Sequence, residues 1–223
     1  MLILAIASSK GGVGKTTLTR IIATSAAAEG APVTVLDADP NAAFAGWCAE
    51  VYEGPAITVI AEADQDAVAR HIDALARQEV GLALIDTAGF QNLAANVAMV
   101  GADAVLIPTL PGRDELRETA RTVERAHGLA RAARRDIPVR VVVTRSQPRT
   151  TLARHILGEL EGMDLPRLET VLTQSTAIAE VASTGRLPAK GPSAEEIARL
   201  LAELRELGWV PPVRQPSLLQ AIE

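Results

Sequence analysis

Short apolar runs alternate along the chain with longer segments in which apolar residues recur at helical spacing. The runs are rich in Val, Ile, Leu and Ala, and they show no alternation of apolar and polar positions. Strands of this kind are covered on both faces, as in a parallel sheet. Strands are predicted at 2–7, 33–36, 57–60, 82–85, 104–107, 139–143 and 169–172. The pattern predicts an α/β fold with a single doubly wound, mostly parallel sheet and helices on both faces.

Five segments between or after these strands carry the helical pattern, at 15–29, 64–78, 113–134, 151–161 and 193–207. In the first segment, Leu18, Ile21 and Ile22 share one helical face. The last segment opens with Ser193 and Glu196, which have the spacing of a capping box. These helices supply the crossover connections that parallel strands require.

Composition changes this picture only in detail. The 223 residues are 48% hydrophobic and 22% charged, which fits a single globular domain. Aromatic residues make up 2%, so the core is expected to be aliphatic. We place the domain at 1–207 and a tail at 208–223, because Pro211, Pro212 and Pro216 rule out a regular helix near them.

Charge and cysteine content exclude several classes of protein. Cys48 is the single cysteine, so the chain can form no internal disulfide and no iron–sulfur site of several thiolates. No apolar run approaches the roughly 20 residues of a membrane span. The apolar residues 1–7 lack a basic leader and are interpreted as a strand. We therefore expect a soluble, cytoplasmic protein. Its net charge of −5 argues against coating nucleic acid with the whole surface.

A glycine-rich motif, GGVGKTT at 11–17, lies between the first predicted strand and the first predicted helix. Glycines let backbone N–H groups approach phosphate oxygens, and the helix N-terminus favours an anion. In a loop of this kind, Lys15 would bridge the β- and γ-phosphates, Thr16 would bind Mg²⁺, and Thr17 would reach the α-phosphate. The predicted nucleotide-binding residues of this motif are Gly11, Gly12, Val13, Gly14, Lys15, Thr16 and Thr17.

With Lys10 in front, the motif resembles the deviant Walker A loop of the ParA/MinD family of SIMIBI-type P-loop ATPases. The resemblance covers about 1–207 and is strongest to small ParF-type partition proteins. In that family the signature lysine, here Lys10, reaches the nucleotide bound by a partner subunit. The resemblance implies a homodimer that encloses ATP, with Lys10, Lys15 and Asp39 as catalytic residues.

Carboxylates at the ends of two strands predict a Mg²⁺ site. The segment LDADPN at 36–41 resembles the family's switch I, D-x-D-P-Q, with Asn41 in place of Gln. By that resemblance, Asp39 positions the attacking water and senses Mg²⁺, and Asp37 supports the loop. The segment LALIDTAG at 82–89 is a Walker B pattern in which Asp86 holds Mg²⁺. Because carboxylates beside a triphosphate repel it without a cation, we predict Thr16, Asp39 and Asp86 as the metal site.

Two later residues are candidates for contacts with the nucleobase or ribose. Pro111 follows the fifth predicted strand and Arg145 follows the sixth, where ParF-type proteins line the base. The alternative for each is an ordinary role in a loop.

The resemblance implies a slow ATPase that positions or segregates cargo and is stimulated by a ParB-like or other adaptor protein. Such proteins hold nonspecific DNA when ATP is bound, which would place this one on the nucleoid. Candidate contacts are Arg131, Arg134, Arg135, Arg140, Arg149, Arg154 and Arg186. For each arginine the alternative is a solvated helix face. The segment TQSTAI at 173–178 lacks an arginine that DNA-binding relatives are expected to carry there.

Other functions of this fold remain to be weighed. Membrane binding is disfavoured, because the segment 216–223 is short and ends in an acid. Since the chain begins at its first strand, we expect no helix-turn-helix and no binding to a specific operator. The alternative function is an ATP-dependent small-molecule ligase similar to dethiobiotin synthetase. ATP hydrolysis that depends on dimerisation and needs no small-molecule substrate would distinguish the cargo-positioning ATPase from the ligase.

Overall fold

Parallel strands form one sheet in this computed structural model, which describes residues 1–89, 92–147, 158–160 and 162–213. The strands are β1 Leu2–Ile6, β2 Val33–Ala38, β3 Thr58–Ala61, β4 Leu82–Thr87, β5 Ala104–Thr109, β6 Val139–Ser146 and β7 Arg167–Thr173. They lie in the order β3-β2-β4-β1-β5-β6-β7, and each pairing is parallel. The predicted doubly wound α/β sheet is confirmed.

Helices connect the strands and cover both faces of the sheet. They are α1 Lys15–Ala28, α2 Ala43–Glu50, α3 Gln65–Ala76, α4 Leu93–Gly101, α5 Arg113–Ala132, α6 Thr176–Ala179, α7 Val181–Thr184 and α8 Pro192–Glu206. The helix predicted at 151–161 lies outside the described residues except for 158–160, which are helical. Helices α2, α4, α6 and α7 were not predicted, because they are short or lack a strong apolar stripe.

The capping box predicted at the start of α8 is wrong. The helix begins one residue earlier, at Pro192, after Gly191 with a φ of 85°. Neither predicted side chain caps it, because Glu196 bonds to the end of β7 and Ser193 bonds to the segment that follows β7. The Ser193 hydroxyl lies 2.7 Å from that of Ser175, and Glu196 accepts from Thr173.

The core consists of two layers, one on each side of the sheet. Leu4 and Ile6 of β1 pack on one side with α1, α2 and α8. The intervening residues Ile3 and Ala5 pack on the other side with α3, α4 and α5. Because all four are almost fully buried, β1 is central, and the loop that follows it lies at the middle of the sheet edge.

Residues just beyond the predicted domain boundary belong to the core. Trp209 and Val210 are 4% and 3% exposed and pack with α8 and α1. The part of the predicted tail from 214 onward lies outside the described residues. Among the residues described, no helix combines the length and the apolar character needed to traverse a membrane.

Candidate functional site

A cavity of about 620 Å³ opens where β1, β2 and β4 end. Carboxyl ends of parallel strands meet at one edge of a sheet, so the loops that follow them lie together. The cavity is lined by Gly11, Gly12, Gly14, Lys15, Thr16, Thr17, Asp39, Pro40, Asn41, Ala88, Gly89, Asn92 and Arg145. The structure therefore brings together most of the residues predicted to bind phosphate and metal.

The glycine-rich loop shapes one wall of this cavity. Gly14 precedes α1 with a φ of 96°, a left-handed conformation that favours glycine. Helix α1 begins at Lys15 and carries no acidic residue in its first turn. Its first N–H groups and the positive end of its dipole therefore meet the cavity without a competing carboxylate. This wall is suited to an anion.

Lys15 and Asp86 place opposite charges on the buried side of the cavity, where Lys15 belongs to the lining and Asp86 does not. Lys15 is 7% exposed, and its Nζ donates to the carbonyl oxygen of Lys10 at 3.0 Å. Burial lowers the pKa of Lys15, and the charges of Asp86 and Asp39 oppose that shift. The ammonium group is thus held among carboxylates, where a phosphate oxygen can reach it.

Asp86 is the most perturbed acid among the described residues. Its side chain is 0% exposed, and neither carboxylate oxygen has a hydrogen-bond partner in the described structure. Burial raises the pKa of Asp86 to about 7, while Thr16 and Lys15 act to lower it. The Thr16 hydroxyl lies beside the carboxyl without completing a hydrogen bond. Unpaired carboxylate oxygens next to a hydroxyl fit a hard divalent cation such as Mg²⁺.

The second acidic segment is held by its own hydrogen bonds. Asp37 is fully buried and accepts from the N–H groups of Phe44 and Ala45, both at 2.9 Å, at the start of α2. Burial raises the pKa of Asp37, although these N–H groups lower it. Asp39 Oδ1 accepts from the backbone and side-chain nitrogens of Asn41, each at 2.9 Å. Asp37 therefore anchors the loop, and Asn41 orients Asp39 at the cavity.

Lys10 lies outside the cavity lining and is bound within its own chain. Its Nζ forms an ion pair with Glu115 Oε1 at 2.7 Å, near the start of α5. This contact raises the pKa of Lys10 and lowers that of Glu115. The two side chains are 40% and 27% exposed, so solvent screens the pair.

Three contacts fix the loop against the rest of the sheet edge. Gly89, after β4, lies so close to the loop that a Cβ there would meet Gly11 N at 2.8 Å. The Thr144 hydroxyl donates to the carbonyl oxygen of Val13 at 2.8 Å. The Thr122 hydroxyl of α5 lies 3.0 Å from that of Ser9. The loop is thus preorganised by β4, β6 and α5.

A second cavity of about 570 Å³ adjoins the first. The two share Gly14, Thr17 and Arg145. The other lining residues are Leu18, Thr144, Gln147, Leu172, Thr173, Gln174, Ser175, Thr176, Ile178 and Ala179. Arg145, at the end of β6, has a φ of 51°, a conformation that strains a non-glycine residue and often marks a functional position. Apolar and polar groups here could enclose a flat heterocycle.

Comparisons with known proteins agree with this geometry. The family model described as the CobQ/CobB/MinD/ParA nucleotide binding domain matches residues 4–189. The chain belongs to this family. The resemblance to ParA/MinD-type ATPases is thereby confirmed.

Two curated relatives of this ParA/MinD-type chain align with half of it or more. Maintenance of carboxysome distribution protein A of Halothiobacillus neapolitanus is 28% identical over 208 residues, covering 90% of this chain and 95% of that protein. Protein ParA of Rhizobium radiobacter is 34% identical over 115 residues, half of each chain.

Solved structures extend the likeness of fold within the ParA/MinD group. The Cyanothece McdA–ATP complex has a TM-score of 0.77 at 17% identity, covering 96% of this chain and 99% of that one. MinD of Pyrococcus horikoshii, complexed with Mg-ADP, has a TM-score of 0.69 at 21% identity, covering 93% and 97%. Both structures hold nucleotide, which is consistent with the cavity described here.

Some residues of the ParA/MinD-type site were predicted from the sequence and others were not. Pro111 lines neither cavity, so its contact with a base stays a prediction. Glu115, Asn92 and Thr144 were not predicted, because their roles depend on contacts with distant segments. The segment 172–179 was not predicted as a cavity wall, although the run of polar residues after β7 offered a signal.

Proposed function

We propose that the chain is a ParA-like ATPase that binds ATP with Mg²⁺ and positions or partitions intracellular cargo. The observation that carries this proposal is the unpaired, buried Asp86 carboxylate facing the glycine-rich loop. A purely structural aspartate would be hydrogen-bonded, because an unpaired buried charge is costly. The names of the two curated relatives support positioning and partition as the purpose.

The two adjoining cavities suit the two halves of ATP. The triphosphate would lie on the N-terminus of α1, with Lys15 at the β- and γ-phosphates and Thr17 at the α-phosphate. The base would enter the second cavity. Arg145, which lines both cavities, would lie at the ribose between them. Each cavity has a volume within the several hundred Å³ that is typical of a small-ligand site.

Three side chains would hold the metal. Thr16 and Asp39 line the first cavity, and the buried carboxyl of Asp86 lies next to Thr16. Bound Mg²⁺ would neutralise phosphate charge and the charge of the carboxylates around it. Asn41 would keep Asp39 oriented towards the attacking water through its two hydrogen bonds.

Dimerisation would require Lys10 to change partners. In the single chain its ammonium group is bound by Glu115. In an ATP-bound dimer, Lys10 would instead reach the nucleotide of the partner subunit and stabilise its phosphate charge. A screened surface ion pair is weak, so the phosphates can compete for the lysine. Nucleotide binding and dimerisation would then be coupled.

DNA binding and partner stimulation complete the proposed cycle. Arg131 and Arg134 are exposed at the end of α5 and could contact phosphates. Arg135 and Arg186 already form ion pairs, with Asp103 and Glu53. Of the remaining candidates, Arg140 is partly buried, and the residues at 149 and 154 lie outside the described part of the chain. An adaptor protein would stimulate hydrolysis and release the DNA.

Molecular mass measured by light scattering tests the proposal directly. Wild type, Lys10→Ala and Asp39→Ala are compared with ATP and Mg²⁺, and the exposed Lys190→Ala serves as the matched lysine control. We expect Asp39→Ala to accumulate a dimer, Lys10→Ala to remain monomeric and Lys190→Ala to behave as wild type. The dimer should bind duplex DNA with an affinity that falls as salt rises.

The same proteins separate the ATPase switch from a ligase. Hydrolysis of ATP without any added small molecule, and dependent on dimerisation, supports the switch. If ATP leaves the mass of every variant unchanged, the dimer mechanism is refuted. Turnover that appears only with a small-molecule acid or amine would then favour the ligase.

A further inference from the structure

Two carboxylates of α8 hold the edge strand β7. At a sheet edge, outward N–H groups need acceptors from outside the sheet. Glu203 accepts from the N–H groups of Glu169 at 2.7 Å and Thr170 at 3.0 Å. Glu196 accepts from the N–H group and the hydroxyl of Thr173, each at 2.9 Å. Residues two turns apart lie on one helical face, so α8 satisfies both ends of this edge.

The start and the end of β7 differ in their relation to the second cavity. Glu203 binds the start of β7, whose residues line neither cavity. Glu196 binds the last residue of β7, where the chain enters the wall of the second cavity. Glu196 is also the more enclosed of the two, at 6% exposed. Both glutamates thus accept hydrogen bonds from β7, but only the residue that Glu196 binds, Thr173, lines the second cavity.

A second contact from α8 reaches the same wall. The hydroxyl groups of Ser193 and Ser175 lie 2.7 Å apart, and Ser175 accepts from the N–H of Ala177 at 3.2 Å. Between the fastened residues lies Gln174, whose N–H donates to the carbonyl oxygen of Ser146 at 2.8 Å. Ser193 and Glu196, here called the α8 clamp, do not line the cavity themselves.

We infer that Glu196 is a positioning residue for recognition of the nucleobase. With Ser193, it holds residues 173–176 in the shape that the second cavity requires. A loop wall that is fastened before the ligand arrives loses less conformational entropy on binding. This inference rests on the proposed function, because it takes the second cavity as the site of the base. The α8 clamp itself would make no contact with the triphosphate.

Binding constants for three probes test the inference. ATP, GTP and inorganic tripolyphosphate are titrated by calorimetry into wild type, Glu196→Ala and the matched control Glu203→Ala. We expect Glu196→Ala to bind ATP about tenfold more weakly, the effect of losing one or two hydrogen bonds that order the wall. Tripolyphosphate should bind within about twofold of wild type, since it does not use this cavity. The ratio of the GTP to the ATP Kd should fall.

Two further variants keep the result decisive. Glu196→Gln retains an acceptor for Thr173 and should recover most of the ATP affinity. Ser193→Ala removes only the contact with Ser175. If Glu196→Ala does not fold, the affinities of Ser193→Ala for ATP, GTP and tripolyphosphate test the inference in its place. Glu203→Ala should lower Tm yet leave all three affinities unchanged.

Several outcomes would overturn the inference. One is an equal loss of ATP affinity in Glu203→Ala, and another is an equal loss of tripolyphosphate affinity in Glu196→Ala, because either indicates a general structural role. Unchanged ATP affinity and unchanged base preference in the clamp variants would do the same while leaving the proposed function intact. A wild-type protein that binds none of the three probes would instead refute the proposed function.

Discussion

Replacing Asp86 by asparagine should stabilise the nucleotide-free protein while weakening its binding of Mg²⁺ and nucleotide. The reason is that both oxygens of Asp86 are buried without a partner among the described residues, and burial raises its pKa from 3.8 to about 7. At about 1.4 kcal/mol per pKa unit, the ionised carboxylate costs the fold up to roughly 4 kcal/mol. An unsatisfied asparagine amide costs about 1–3 kcal/mol. The net gain should be about 1–3 kcal/mol above pH 7.

The pH dependence of this effect has a definite sign. Because the pKa of Asp86 is higher in the folded protein, the unfolded carboxyl loses its proton first as pH rises. The contribution of Asp86 to wild-type stability should therefore fall between about pH 4 and about pH 7 and level off above that range. The Asp86→Asn variant lacks this contribution, so its advantage should grow over the same interval.

Urea unfolding in EDTA at pH 5 and pH 8 measures both quantities. Asp103→Asn is the matched control, because that carboxylate is satisfied by the N–H of Ile3 at 2.9 Å and by Arg135. The control should lose stability at both pH values. Adding Mg²⁺ and ATP should raise Tm for wild type and much less for Asp86→Asn. An Asp86→Asn protein that is less stable than wild type at pH 8, or a difference that does not change with pH, would refute the reasoning.

Two further predictions concern the loop and the lysine. Gly89→Ala should weaken ATP binding at least about tenfold by pushing the chain against Gly11, as measured by calorimetry. Gly46→Ala, at an open position on α2, serves as the control and should instead add about 0.5–1 kcal/mol to the free energy of unfolding, as measured with urea. Glu115→Gln should free Lys10 from its ion pair and lower the dissociation constant of the ATP-dependent dimer about two- to fivefold at low salt, as measured by sedimentation. A weaker dimer would contradict the idea that Glu115 and the partner's nucleotide compete for Lys10.

The local pattern of the chain determined the strands and the main site. The strands β1, β2 and β4 each begin with a short run of mainly apolar residues, so they could be placed without knowledge of their neighbours. The glycines of the loop and the acid at the end of β4 are equally local, since each follows directly from the strand before it. Because parallel strands present their carboxyl ends at one edge, the meeting of Lys15 and Asp86 also followed from the sequence.

Tertiary structure alone decided which distant groups complete the site. Lys10 meets Glu115, and the pair predicted to cap α8 instead fastens the end of β7. Helix α2 has no cap in its own sequence, because the side chain of Asp37 on β2 supplies the acceptor. Such contacts depend on how helices pack on the sheet and on strand register. Periodicity within one segment carries no information about the residue that another segment brings against it.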